Sequence, residues 1–165
     1  MLLQSVAAIF DRDLRALRRE VEAYPDDRTL WQEVPGISNT AGTLALHLAG
    51  NLQHYLGACL DHTGYVRDRP AEFARRNVPR SELLQQIEAA RAAVKALASG
   101  AVAPDLEAEF PERIACKRVT IGDYLVHLTT HFAYHLGQID YHRRVVTGTA
   151  IAVDAVRPSE LSSAR

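Results

Sequence analysis

Seven histidines lie in this 165-residue chain, and four fall in one stretch, HLTTHFAYHLGQIDYHRR, as His127, His131, His135 and His142. Imidazole is the commonest side-chain metal ligand and the usual acid–base group near neutral pH. On a helix turning about 100° per residue, His131 lies about 40° beyond His127, His142 about 60° and His135 about 80°. All four therefore share one sector with Gln138. Histidines four apart stand one turn apart, about 6 Å of rise, so two rings can converge on one cation at bonds of about 2.0–2.1 Å. A second set, His47, Asn51 and His54, spans about 60° of another helix by the same periodicity. His47 lies between Leu46 and Leu48, on the side expected to face a core. Metal sites in bundles are built from inward side chains on facing helices. His47, His131 and His135 plus a water or substrate would leave the open position of a catalytic-type site. Burying three imidazoles without partners would cost about 1–3 kcal/mol per unsatisfied group, and a shared cation removes that cost. His127 and His54 stay open between ligand, support for a ligand and pocket wall.

Three neutral ligands leave a divalent ion its full charge, which lowers the pKa of a thiol or water beside it. A thiol so activated is a nucleophile for transfer reactions, whereas water gives hydrolysis, and the residues leave both open. A metalloprotease of the His-Glu-x-x-His kind is disfavoured, because the position of its general-base Glu holds Phe132. Asp123 reads as a helix-start residue. Proton transfer falls to His127, His54, Tyr55 or bulk water. His127, one turn before His131, is the candidate acid–base residue.

The remaining polar residues carry blander readings. His62, beside Asp61 in a loop, reads as a surface residue. His142, flanked by Arg143 and Arg144 near a helix end, reads as solvated and favourable to the helix dipole. Trp31 reads as an aromatic core plug rather than a pocket wall. Arg67, Arg69, Arg75, Arg76 and Arg80 read equally well as an attractor for an anionic thiol or as a solvated loop face. Cys59 and Cys116 lack a CxxC partner and read as small apolar residues.

The elements that must position these residues are helical. Phe10, Leu14, Leu17 and Val21 mark one face of a helix over 2–24, stopped by Pro25. Leu44, Leu48, Leu52, Tyr55, Leu56 and Cys59 stripe a second helix over 41–60, capped from Ser38-Asn39-Thr40. Gly50 and Gly57 weaken its propensity and permit close approach by another segment. A third helix runs over 81–99 and stops at Gly100, and a fourth runs from 120–123 to 147 and stops at Gly148. A short helix is expected within 71–77 and a brief extended piece at 118–121. The pattern predicts an all-α four-helix bundle over 1–148 with long connections, followed by a tail, 149–165, expected to fray at its end.

Composition excludes several classes. Hydrophobic residues make up 47% and charged residues 24% of the chain, enough apolar surface for one ordered domain. Lys plus Arg is 19 against Asp plus Glu of 20, so no basic excess points to nucleic acid. No apolar run reaches the ~20 residues of a membrane helix, so no membrane partner is expected. The first residues, MLLQSVAAIFDRDLR, do not read as a signal peptide. Two cysteines indicate no disulfide framework, which makes the cytoplasm the expected compartment.

HLAGNLQHYLG (47–57) and HFAYHLGQI (131–139) resemble the motifs of the DinB-like superfamily of metal-binding four-helix bundles. Its pattern is a His early in the second helix and a His-x-x-x-His-x-x-Gln-Ile run on the last core helix. The resemblance covers roughly 1–148. It implies His47, His131 and His135 as the metal triad, with Gln138-Ile139 as the trailing pair, and a divalent metal, zinc or nickel. It further implies a small-molecule substrate and transfer of a low-molecular-weight thiol to a small electrophile, in a homodimer. Metal-dependent hydrolysis, a non-catalytic metal- or ligand-binding bundle, and a polar dimer interface are the alternatives.

Overall fold

The structure, a computed structural model, describes residues 2–164. Its elements are α1 (Leu2–Glu22), α2 (Asp27–Leu30), α3 (Ala41–Leu52), a π-helical turn (Gln53–Ala58), α4 (Arg69–Ala74), α5 (Arg80–Ser99) and α6 (Ile121–Thr147). A single 3-10 turn, Pro158–Glu160, follows. No strand forms among the described residues, and the expected all-α bundle is the fold. α1, α3, α5 and α6 build it, with α1 and α3 each packing against α5 and α6.

Local chemistry sets most helix ends. The hydroxyls of Thr40 and Thr120 accept from the backbone N–H of Thr43 and Asp123, satisfying orphan donors at the starts of α3 and α6. Asp26 and Asp68 do the same for α2 and α4. Gly148 ends α6 at φ 69°, left-handed backbone that a side chain would strain. The stripe of α1 is buried as expected: Phe10, Leu14, Leu17 and Val21 meet Leu48, Leu52, Ile87, Leu128, Phe132 and Ile139 in one core. Each such side chain contributes roughly 1.5–3 kcal/mol when fully buried. Trp31 is a core residue, its indole N–H donating to the Val78 carbonyl at 3.1 Å.

Two features depart from the periodic reading. The second helix is not uniform over 41–60: after Leu52 the ladder widens to π geometry through Ala58. The connection to α6 is no free loop either. Phe110 N–H donates to the Val119 carbonyl at 2.9 Å and Glu109 bridges Thr120, so the extended piece survives as a single bridge. Residues 149–164 run back along α1. Arg19 donates to the Val153 and Asp154 carbonyls, and Arg15 pairs with Glu160.

The bundle also buries charge. Arg143 donates to Glu20 at 2.6 Å, both essentially without solvent contact. Burial outweighs the guanidinium and pushes the Glu20 carboxyl up to about 7.

Candidate metal centre

α3 and α6 bring His47, His131 and His135 together. One ring nitrogen from each lies within 4.8 Å of the others. The three ring centroids stand 4.6–5.3 Å apart, edge to face. α6 supplies two rings from successive turns, as the i, i+4 spacing requires. α3 supplies the third at a point where every one of its residues is buried.

The outward nitrogens of His47 and His135 are tied. His47 Nδ1 stands 2.9 Å from Glu72 Oε2, and His135 Nδ1 stands 2.7 Å from Gln138 Oε1. Oxygen acceptors there make both Nδ1 atoms donors, which leaves each Nε2 as a lone pair. His47 Nε2 faces His131 Nε2 at 3.3 Å. Donors bound tetrahedrally at about 2.0–2.1 Å stand about 3.3 Å apart. A carboxylate or amide behind a ligand ring, as at His47 and His135, is the usual support of a metal site. The residues present therefore fit a divalent cation.

Electrostatics agree with neutral donors. Burial, then the neighbouring His135 and His47 rings, hold His131 down to about 4. Burial lowers His135 as well, against the opposing bond to Gln138. For Glu72, burial would raise the carboxyl, but bonds from His47 and Arg67 outweigh it and hold it below the usual range.

Glu72 and this role for Arg67 were not legible beforehand. Arg67 is neither solvated nor aimed at a free anion. It forks onto Glu72 at 2.7 and 2.9 Å with its side chain 8% exposed. The one hint was Gly50. A Cβ there would lie 2.3 Å from Glu72 Oε1, so the small residue on α3 admits a carboxylate delivered by α4.

The remaining candidates separate. His127 is exposed, stacked on Tyr124 with centroids 5.8 Å apart, and its ring lies 6.2 Å from that of His131. Tyr124 meets Tyr55 edge to face at 4.9 Å, and Arg67 lies over the Tyr55 ring at 5.6 Å. These groups form one wall above the imidazoles. His142 corrects the solvated reading: it is 1% exposed. Its Nε2 donates to the Gln32 carbonyl at 2.8 Å, so Nδ1 accepts from the Tyr24 hydroxyl at 2.8 Å. Its place on the wheel is right, but it lies two turns past His135, beneath the chain after α2. His62 is exposed. His54 joins Cys59 and Glu112 rather than the three-His site.

A cleft of about 470 Å³ opens beside His135, lined by Leu44, Tyr134, Gln138, Tyr141 and the turn at 36–39. It combines apolar walls with a few polar groups, as small-molecule sites do.

Comparison with known proteins adds one result. The sequence model of a family described as Mycothiol-S-transferase matches residues 5–148. No curated protein and no solved structure matches the chain.

Proposed function

We propose, from the premise that this chain belongs to the mycothiol-S-transferase family within the DinB-like superfamily, that it transfers a mycothiol-type thiol, joined through its sulfur, to a small electrophile. The reaction takes place at His47, His131 and His135, with zinc or nickel as the resident cation. The observation that carries this reading is the convergence of one ring nitrogen each from His47, His131 and His135 within 4.8 Å of one another, with His47 Nε2 3.3 Å from His131 Nε2 and the Nδ1 atoms of His47 and His135 held by Glu72 and Gln138. A divalent cation held there supplies the charge that lowers a thiol's pKa toward neutrality.

The chain's own residues do the rest. Glu72 and Gln138 fix ring orientation and tautomer, so no reorganisation is needed when substrate arrives. The cleft beside His135 receives the substrates, its Leu44 and tyrosine faces against apolar parts and Ser38, Asn39 and Gln138 against polar ones. His127 accepts the thiol proton, since its ring is solvent-open and one turn from His131. Sulfur then forms the new S–C bond. The electron pair of the broken bond stays on the leaving or ring-opened atom: a ring-opened epoxide oxygen takes the proton from His127, whereas chloride leaves as the free anion and His127 returns its proton to solvent. The protein acts as a homodimer, which sedimentation equilibrium tests.

The decisive experiment loads chelator-treated protein with zinc or nickel and follows thiol consumption against an epoxide and a chlorinated aromatic, with adduct masses. Wild type forms thioether, and His131→Ala loses both metal and turnover. Electrophile loss without thiol consumption would make it a hydrolase. Metal binding with no reaction across the panel would make it a sequestering protein. Either overturns the reading.

A further inference from the structure

We infer that His54, Cys59 and Glu112 form a second site, for a soft divalent cation such as zinc, that clamps the connection before α6 to the π-helical turn. His54 Nε2 stands 3.1 Å from Glu112 Oε2 and 3.7 Å from Cys59 Sγ, and the three donor atoms lie within 4.8 Å of one another. Tetrahedral ligands at about 2.0–2.1 Å for N and O and about 2.3 Å for S stand about 3.3 and about 3.6 Å apart, so these donors need only small shifts to bind.

The π turn is what assembles the site. Cys59 N–H donates to the His54 carbonyl at 2.9 Å, five residues back. In that wider turn, residues five apart stack on one side, whereas in an α-helix Cys59 would be rotated about 140° from His54. Single π turns recur at functional sites. Glu112 comes from the long connection, where its neighbour Phe110 packs on Tyr55 and Tyr124, centroids 5.9 and 4.6 Å away. A cation on these ligands would therefore hold the connection against the two tyrosines that wall the three-His site.

A dication held between these three donors would bind the sulfur as thiolate, the thiol proton going to solvent. A mixed Cys, His and carboxylate set suits zinc, and three protein ligands leave one position for water.

The site is independent of the proposed transferase chemistry, and cobalt(II) tests it, because the three-His centre contains no sulfur. Cobalt added to the metal-free full-length protein should bind at two equivalents and give a sulfur-to-cobalt charge-transfer band in the near ultraviolet. Cys59→Ser should abolish the band and remove one equivalent, while Cys116→Ser and His131→Ala should keep it. Glu112→Gln, a change at an exposed position, should weaken this equivalent at least about tenfold. Zinc should also slow tryptic cleavage at Arg113, Lys117 and Arg118 in wild type but not in Cys59→Ser. No band at excess cobalt, or a band that survives Cys59→Ser, overturns the site. Unchanged Glu112→Gln affinity removes the carboxylate, and unchanged proteolysis removes the clamp.

Discussion

Replacing Glu72 by Gln isolates the support behind the proposed triad. The carboxylate accepts from His47 Nδ1 at 2.9 Å and from Arg67 at 2.7 and 2.9 Å, so it serves two buried cation-capable groups at once. Glu72→Gln keeps the volume and one acceptor but removes the charge that holds the His47 tautomer. Substitutions behind a metal-bound imidazole cost about 10–100-fold in affinity, which is about 1.4–2.8 kcal/mol. Glu72→Ala goes further. It strands the Arg67 guanidinium, and breaking a buried pair costs about 3–5 kcal/mol, so this variant should lose stability as well. Gly50→Ala reaches the same group from the other side. Helix propensity alone would stabilise it by about 1 kcal/mol, but its Cβ would displace the Glu72 tip. It should bind metal more weakly, as Glu72→Gln does. The assay is a zinc competition titration against a chromophoric chelator, paired with chemical denaturation of the metal-free proteins. Glu72→Gln affinity within about twofold of wild type, with His47→Ala abolishing binding, would refute the supporting role.

Three further outcomes follow from buried groups. His131 sits near 4 when folded against 6.5 in the free residue, so the unfolded chain takes up its proton first. Its contribution is full above about pH 6.5 and is lost as pH falls toward 4; of the about 3 kcal/mol a shift of this size implies, only part should appear because the ring is partly solvated. Metal-free His131→Asn should accordingly lose less stability than wild type between pH 7 and 5 in urea titrations, and equal losses would contradict it. Glu20 runs the other way: raised to about 7 from 4.5, it favours the fold below 4.5, and that contribution fades as pH rises to 7. Glu20→Gln should flatten this slope, and an unchanged slope would place the effect elsewhere. Tyr24→Phe removes the hydroxyl that donates to His142 Nδ1 and should cost about 1–3 kcal/mol in urea midpoint stability; a loss under about 0.5 kcal/mol would mean that the ring finds another partner.

The four long helices and their inward faces were legible because a 3.6-residue period records which side is dry. Phe10, Leu14, Leu17 and Val21 show it most simply, and His131 and His135 obey the same rule, being polar residues on a face that otherwise points inward. The period places a residue around the helix axis and says nothing about its neighbours along it. His142 shares the sector of His127 and His135, yet Tyr24 and the Gln32 carbonyl bury it. The π turn was equally hidden, because widening the ladder by one residue leaves composition unchanged while rotating Cys59 onto the side of His54.

By itself, the order of residues determined the all-α architecture, the stops at Pro25, Gly100 and Gly148, and the convergence expected of His47, His131 and His135. Those properties rest on steric preferences and periodicities that act within a few residues. Only the tertiary structure decided that Glu72, 25 residues beyond His47 on a six-residue helix, stands behind that ring with Arg67 locked upon it. It likewise decided that Glu112 reaches the His54–Cys59 pair. Such contacts depend on how separate segments close over one another in space, a property no local repeat encodes.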